Sequence, residues 1–444
     1  MLDKLRVNRI FGLALPIMGG MISQNILNIV DGAMVSRLDN SDAALAAVGL
    51  GSFAIFMCQA LVLGLATGVQ AAASRRKGEG RTDETALFLN TALLVLVVVG
   101  PILSCVLIYL APSIYPLLID DAAVVELGIP YFEVRLVGAM FVGMNYAFRG
   151  YWNAVDHAHL YMRTLIIMHA TNIFLNYVLI FGNFGAPELG VTGAGLASLA
   201  SVILGTMVYF FLGFKHARGH GFLHRRPHFS EVKTLVKLSL PNGIQQFFFS
   251  GGFLATYWII GKVGTDELAA ANVLLNLTML ALLPGLGFGL TSATLVGQAL
   301  GQNDPGDARR WGFDVVKLAA IIMTIICLPM VFIPATVIST FYALDADTLA
   351  LAIGPMRLAG LTIVFDAFGM VLMQSLLGAG DTRRVMMVSI FNQWFLFLPI
   401  AYLVGPVMGF GLFEIWSCQA AYRGFQAFVF YRFWCGDGWT KVRI

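Results

Sequence analysis

"LALPIMGGMISQNILNIVDGAMV" runs from Leu13 to Val35 and is the first long apolar segment of the chain. It follows a short basic stretch and continues without a small-residue cleavage site, so we expect a retained membrane-spanning helix rather than a signal peptide. One carboxylate, Asp31, lies inside this segment with no lysine or arginine beside it. Gln24 and Asn28 precede that acid by seven and three residues, which places the three side chains on one helical face.

The composition indicates an integral membrane protein. Of the 444 residues, 58% are hydrophobic and 12% are charged, and the mean hydropathy is +0.79. Soluble domains carry about a quarter charged residues. The net charge of +3 gives no support to nucleic-acid binding. The five cysteines are far apart and form no metal-binding or disulfide pattern, so we expect no metal site and no cofactor.

Glycines, prolines and charge clusters divide the chain into twelve predicted spans, each close to the roughly twenty apolar residues that cross a bilayer. The first six are Ile10–Val35, Leu45–Ala71, Ala86–Ile108, Val125–Ala147, Leu165–Phe181 and Ala194–Phe214. The second six are Leu235–Ile260, Leu268–Val296, Val315–Ile333, Leu349–Leu377, Val385–Leu403 and Gly409–Phe433.

The charges of the loops alternate along the chain. Basic residues cluster before span 1 and after the even-numbered spans, as at Arg75 and Arg76 after span 2. The odd-numbered loops hold few bases and several acids, such as Asp120 and Asp121 after span 3. Since basic loops stay on the cytoplasmic side, this alternation predicts that both termini are cytoplasmic. Eleven or thirteen spans would break the alternation.

The two halves of the chain resemble each other. "LALP" at Leu13–Pro16 returns as "LSLP" at Leu238–Pro241, and the same spacing pairs Gly64 with Gly289. Because six spans separate the copies, the repeat is parallel, as in transporters built from two like lobes. We therefore predict an all-α polytopic membrane protein of twelve transmembrane helices in two six-helix bundles. The predicted parts are an N-lobe over residues 1–214, a cytoplasmic linker over 215–233 and a C-lobe over 234–444.

Five motifs make the chain resemble the multidrug and toxic compound extrusion (MATE) family over nearly its whole length. They are "LALP…VDGAMV" in span 1, "LSLP" in span 7, "GVTGAGLAS" at Gly190–Ser198, "GQALGQND" at Gly297–Asp304 and "LLGAGDTRR" at Leu376–Arg384. The terminal "YRGFQAFVFYRFW" looks closer to the DinF-like branch. The resemblance implies a monomeric inner-membrane antiporter of bacterial type that works by alternating access. It also implies drug resistance through export of amphipathic cationic compounds, driven by inward flow of protons or sodium.

Asp31 is the residue most in need of an explanation, because an acid at mid-membrane costs roughly 2.5–3.5 kcal/mol on insertion scales. Asn172 and Asn176 of span 5 are four residues apart and share one helical face, where they could form a cation site or only helix-to-helix hydrogen bonds. By resemblance, Asp31, Asn172, Asn176 and Ser198 fall where the family has its N-lobe cation site. Some relatives have aspartate in place of Asn176, so a single carboxylate here favours a proton over sodium, although sodium at Asp31 stays an alternative.

Pro16 and His169 allow two interpretations each. Pro16 cannot donate to the carbonyl of Gly12, so span 1 has a weak point there that could be a moving hinge or a static kink. His169 lies next to the span 5 asparagines and could be a hydrogen-bonded packing residue or a proton relay.

Asp366 in span 10 is the second acid predicted inside the membrane. Its position resembles the C-lobe cation site of NorM-like members, but the stretch "QQFFFSGG" at Gln245–Gly252 lacks the glutamate that they supply from span 7. Asp366 could therefore contact a cationic substrate or pair with Arg357, and with Gln24 and Asn28 it is a candidate for a substrate or second cation site. Arg135 and Arg357 occupy matching places in the repeat and could be buried ion pairs or gates.

These features together favour a proton-coupled multidrug efflux antiporter that uses Asp31 as its proton site. A sodium-coupled drug antiporter is the first alternative, and a flippase for a lipid-linked saccharide precursor is the second. An enzyme is not expected, because the chain has no HExxH, GxSxG or P-loop motif and no catalytic residues can be assigned. The expected partners are small amphipathic cations and the lipid bilayer.

Overall fold

The computed structural model describes residues 3–117, 119–224, 227–442 and 444, and every regular element in that part of the chain is a helix. Spans 1 to 6 are Lys4–Val35, Ser41–Gly78, Leu87–Ile114, the pair Ala122–Val137 and Ala139–Ala154, Ala158–Phe181 and Gly190–His216. Spans 7 to 12 are Phe229–Gly261, Thr265–Gly301, Pro305–Phe332, Ala346–Gly378, Thr382–Val407 and Leu412–Cys435. Short helical segments are Thr82–Glu84, Tyr115–Leu117, Asn183–Gly185, Arg218–His220, Pro334–Phe341 and Trp439–Lys441.

The number of spans agrees with the sequence. Among the described residues, nine helices are long and apolar enough to cross a membrane, and the bent pair of span 4 counts as a tenth. Spans 7 and 12 are the two remaining long helices, with 33 and 24 residues, and are richer in polar side chains. The prediction of an all-α protein with twelve spans is confirmed.

Span 4 is broken rather than continuous. Its two helices meet at Gly138 with a bend of 51°. The N–H of Gly138 donates to the carbonyl groups of Arg135 and Leu136 instead of the carbonyl one full turn earlier. Glycine is the poorest helix former among residues other than proline, so a break in the helix costs little free energy at Gly138. The single predicted span Val125–Ala147 is corrected accordingly.

Span 11 is wound unevenly. It begins as the α-helix Thr382–Ile390, widens into the π-helix Phe391–Phe397, returns to the α-helix Leu398–Tyr402 and widens again at Leu403–Val407. Pro399 and Pro406 lie in the last two of these pieces. Because proline has no N–H to donate, the ordinary helical ladder is interrupted near each of them. Wide turns of this kind are frequent at functional sites.

The contacts divide the chain into two compact units. The N-terminal unit is Leu15–Gly243, and the C-terminal unit is Met1–Ala14 with Ile244–Ile444. These units differ from the predicted lobes at two places, just before Pro16 in span 1 and just after Pro241 in span 7. The start of span 1 therefore packs with the second half of the chain, and the start of span 7 packs with the first half.

Close contacts explain why the start of span 1 belongs to the C-terminal unit and the start of span 7 to the N-terminal unit. In the N-terminal unit, a Cβ on Gly64 of span 2 would lie 2.3 Å from the carbonyl oxygen of Ser239 in span 7, so only glycine allows this approach. In the C-terminal unit, Arg6 bonds to Asp307 at 2.6 Å and to Asp314 at 2.7 Å, which fastens the chain start to span 9. The guanidinium of Arg6 also stacks 3.7 Å from the centre of the Trp311 ring.

The predicted linker 215–233 also belongs to the N-terminal unit. Asn90 of span 3 donates to the carbonyl of Gly221 at 2.8 Å and accepts from the N–H of Leu223 at 3.0 Å. The buried ring of Phe222 packs on Phe214 of span 6. This part of the linker is therefore anchored to the helices. Arg225 and Arg226 lie outside the described residues.

Candidate functional site

Asp31 lies among neutral amides in the N-terminal unit. Asn176 of span 5 donates through Nδ2 to Asp31 Oδ1 at 2.6 Å and to Asn172 Oδ1 at 3.0 Å. Both asparagines are buried, and Asp31 is half-buried at the end of span 1. The spacing of four residues in span 5 is what aims both amides at the same acid.

Ser198 of span 6 completes the cluster. The Asn172 amide donates to the Ser198 hydroxyl at 3.3 Å and to the Ser201 hydroxyl at 3.4 Å. Exchanging the oxygen and nitrogen of that amide by half a rotation instead directs its nitrogen at Asp31 Oδ1 over 3.0 Å and its oxygen at the Ser198 backbone N–H over 3.2 Å. The four residues named from the sequence therefore share one hydrogen-bonded cluster.

Arg135 is a member of this cluster that the sequence left as an ion pair or a gate. Its Nη1 atom donates to the Tyr131 hydroxyl at 2.9 Å and to the Ser198 hydroxyl at 3.3 Å. These partners are neutral, and the positive charge of Arg135 acts on Asp31 through space. The signal in the sequence was Tyr131 four residues before Arg135, which puts the phenol within reach of the guanidinium on one helical face.

Gln24 and Asn28 form a separate polar row that is exposed on span 1. Gln24 Nε2 donates to Asn28 Oδ1 at 3.2 Å, and Gln24 Oε1 lies 3.1 Å from His169 Nε2. The other ring nitrogen of His169 lies 2.7 Å from the Ser23 hydroxyl. His169 therefore joins span 5 to span 1 by hydrogen bonds on both sides of its ring, the arrangement expected of a packing residue.

Asp366 of the C-terminal unit is held differently. It is buried, with 8% of its surface exposed, and it accepts from Nη1 of Arg423 in span 12 at 2.6 Å. The alternative that it pairs with Arg357 is wrong. Nine residues separate Arg357 from Asp366, which turns them to opposite faces of span 10, and Arg357 is exposed.

Two adjoining cavities lie beside this ion pair. Leu275, Gln419 and Arg423 line both, with Thr256, Gln393 and Tyr422 in the first and Thr278, Thr362 and Asp366 in the second. The buried Gln419 Oε1 and Thr278 Oγ1 atoms have no hydrogen-bond partner among the described residues. Sequence reasoning missed Arg423 and Gln419, although an arginine inside a predicted span is itself a signal for a buried partner.

Two repeat-related helical units, each with an acid inside its helices, define a membrane transporter of the two-lobe kind. The MatE family matches residues 16–178 and again 241–403. The second match begins and ends at the spacing that also separates "LSLP" from "LALP". The matches cover more than half of the chain, and the chain belongs to the MatE family. Members of this family are transporters, so the prediction that the chain is not an enzyme is confirmed.

Several known proteins are similar over most of the chain. One is a probable multidrug resistance protein NorM from Thermotoga maritima, 24% identical over 97% of this chain and 93% of that protein. Another is the multidrug resistance protein PmpM from Pseudomonas aeruginosa, 27% identical over 88% of this chain and 83% of that protein. A solved structure of a multidrug resistance MATE family transporter in its outward-facing conformation aligns with a TM-score of 0.88 at 22% identity, covering 96% of this chain and 94% of that one. At that identity it supports the fold alone.

Proposed function

We propose that the chain is a secondary active antiporter that exports amphipathic cationic drugs in exchange for protons through Asp31. The observation that carries the proposal is the 2.6 Å hydrogen bond from Asn176 to Asp31, while the arginine of the cluster, Arg135, bonds to hydroxyl groups rather than to the acid. An acid held by neutral groups can gain or lose a proton without breaking an ion pair. The similarity to proteins named for multidrug resistance supports the drug substrates.

The Asn172 amide supports two protonation states of Asp31. One amide atom of Asn172 lies 3.0 Å from Asp31 Oδ1 in either orientation. When that atom is nitrogen, it donates to the ionised carboxylate. When it is oxygen, it accepts the proton of the neutral acid. An amide at this position can thus serve either protonation state of the acid, and Asn176 donates to Asp31 at 2.6 Å.

Arg135 favours a proton over a sodium ion at this site. Its guanidinium bonds to the Ser198 hydroxyl, which is one of the oxygens that a metal cation would need as a ligand. That hydroxyl is already bonded, and a sodium ion would have to displace the guanidinium to use it as a ligand. Protonation of Asp31 adds no ion that needs coordination. The single carboxylate and the occupied Ser198 hydroxyl thus both leave fewer oxygen ligands for a sodium ion.

The decisive experiment measures efflux from vesicles that contain the purified protein. A fluorescent cationic dye serves as substrate, and either a proton gradient or a sodium gradient is imposed. We expect the proton gradient to drive efflux in the parent, and Asp31→Asn to abolish that drive. Asp39→Asn is the matched control, because Asp39 is exposed in the loop after span 1. Efflux driven only by sodium, or unimpaired efflux by Asp31→Asn, would overturn the proposal.

Span 1 supplies the proposed hinge at Pro16. The boundary between the compact units falls between Ala14 and Leu15, so the two ends of this helix belong to different units. A relative movement of the units must then deform span 1 near the proline, where one helical hydrogen bond is missing. We expect Pro16→Ala to slow dye efflux while dye binding is retained. Full transport by that variant would leave Pro16 a static kink.

The family and the charge pattern support further proposals on oligomeric state, location and orientation. We propose a monomer in the inner membrane of a bacterium with both termini in the cytoplasm. Arg75 and Arg76 at the end of span 2 support this orientation, as do the acids Asp120 and Asp121 after span 3. Labelling of single cysteines introduced next to these positions, from either side of a sealed vesicle, tests the orientation.

A further inference from the structure

The repeat relates the cation site proposed for the N-terminal unit to a specific place in the C-terminal unit. The spacing between "LALP" and "LSLP" pairs Asp31 of span 1 with Thr256 of span 7, and Arg423 lies in span 12, the counterpart of span 6. Thr256 and Arg423 both line the same cavity in the C-terminal unit, so the counterpart of the N-terminal site is still a polar pocket. Its charges have changed, however. The acid of span 1 is replaced by a hydroxyl in span 7, and span 12 adds an arginine.

The acid of this second pocket comes from span 10. Asp366 is buried and has Arg423 as its hydrogen-bond partner at 2.6 Å. A buried carboxylate needs a compensating positive charge, and here the chain itself provides one. An arginine guanidinium is not deprotonated in proteins, so Asp366 always has a positively charged partner.

We propose that Arg423 is the resident cation of the C-terminal unit and occupies the place that an exchangeable ion would take at Asp366. Arg423 thereby confines the binding of the coupling ion to Asp31. This inference rests on the proposed function insofar as it assumes ion-coupled transport, but it does not depend on which ion is used. A free cation must compete with a charge that is tethered to span 12 and already bonded to the acid.

The surroundings of the Asp366–Arg423 pair indicate what kind of site would remain if the guanidinium were removed. Gln419 Oε1 and Thr278 Oγ1 are buried acceptors without partners among the described residues, and both side chains line the cavity that contains Asp366. Together with the carboxylate they form a set of oxygen atoms, the ligand type that hard cations prefer. Without the guanidinium, this pocket has a negative charge, free oxygens and open space. It then has the composition of a sodium site.

The test is the binding of radioactive sodium to the purified protein at alkaline pH, where protons compete least. Arg423→Met retains the length of the side chain and removes its charge. We expect Arg423→Met to show saturable sodium binding at one site more than the parent, and the double variant with Asp366→Asn to lose that additional site. Arg423→Lys restores a tethered cation and should bind as the parent does. A folded Arg423→Met variant that gains no sodium site would overturn the inference.

A second measurement does not depend on the folding of the arginine variant. Asp366→Asn should leave the sodium binding of the parent unchanged, whether that binding is absent or confined to Asp31. Sodium binding that is lost in Asp366→Asn would overturn the inference. Sodium binding lost only in Asp31→Asn would contradict proton coupling, yet it would support Arg423 as the resident cation. The two proposals therefore fail by different results.

Discussion

The two units of this transporter each place one acid among their helices but neutralise it by different means. In the N-terminal unit, Asp31 accepts from the amide of Asn176, and the nearby Arg135 bonds to hydroxyl groups. In the C-terminal unit, Asp366 bonds directly to Arg423. An acid with neutral partners can change its protonation at modest cost, whereas an acid in a buried ion pair is fixed. Two copies of one repeat can therefore hold acids that differ in how readily they exchange a proton.

Removal of Arg423 is the variant with the largest expected effect on stability. Breaking a buried ion pair by removing one partner costs about 3–5 kcal/mol, because the other charge is left without compensation. Arg423→Met should therefore lower the free energy of unfolding in micelles by about that amount. The double variant with Asp366→Asn should recover most of the loss. If the single and double variants were equally unstable, Arg423 would act through packing and the contrast between the units would disappear.

Asp31→Asn should have the second largest effect, and on transport rather than on stability. One proton moving through 100 mV supplies about 2.3 kcal/mol, which corresponds to roughly a 50-fold concentration ratio of substrate. We expect the variant to lose that ratio at steady state in energised vesicles. Its free energy of unfolding should change less than that of Arg423→Met, because an amide can replace the acid in its hydrogen bonds and Arg135 keeps its bonds to Tyr131 and Ser198.

Glycines at matching places of the repeat provide the third comparison. A Cβ on Gly64 would meet the backbone oxygen of Ser239 at 2.3 Å, whereas a Cβ on Gly289 would meet the side chain of Gln374 at 2.8 Å. The backbone cannot move aside, but a long side chain can. Gly64→Ala should therefore cost about 1–3 kcal/mol of stability, and Gly289→Ala should cost less. Equal losses would mean that the two units tolerate strain in the same way.

Much of this arrangement could be predicted from the sequence because it is local or periodic. The apolar segments indicated the spans, and the pair "LALP" and "LSLP" indicated the repeat that the MatE matches confirm. The spacing of Asn172 and Asn176 placed both amides on one face of span 5. Helical geometry also speaks against a pair between Arg357 and Asp366, since nine residues separate the two positions by half a turn.

Other features depend on contacts between segments that are distant in sequence. Arg423 is 57 residues from Asp366, and no local pattern connects them. The starts of spans 1 and 7 are assigned to their units by close packing at Gly64 and by the ion pairs of Arg6. A boundary drawn from a basic linker cannot detect such packing. The bend at Gly138 could be predicted only in part. Glycine favours a break in a helix, but many glycines in these helices leave them unbroken.

Ser198→Ala is the variant with the smallest expected effect, and it tests how Arg135 is kept from a direct ion pair with Asp31. Loss of a hydroxyl that accepts at 3.3 Å from Arg135 and from Asn172 should cost about 0.5–1.5 kcal/mol of stability. Proton-driven dye efflux should be retained, since the Tyr131 hydroxyl still holds Arg135 at 2.9 Å. The control is Ser36→Ala, whose hydroxyl donates to a backbone carbonyl at an exposed position.

The two readouts of Ser198→Ala distinguish a proton site from a sodium site. A proton on Asp31 needs no oxygen from span 6, so the coupling should survive the loss of this hydroxyl. A sodium ion would use the hydroxyl as a ligand, and its loss would weaken coupling as severely as Asp31→Asn does. A third result is informative as well. If coupling fell in Ser198→Ala although protons alone drive efflux by the parent, Arg135 would have moved onto Asp31, and the N-terminal site would have become like the C-terminal one.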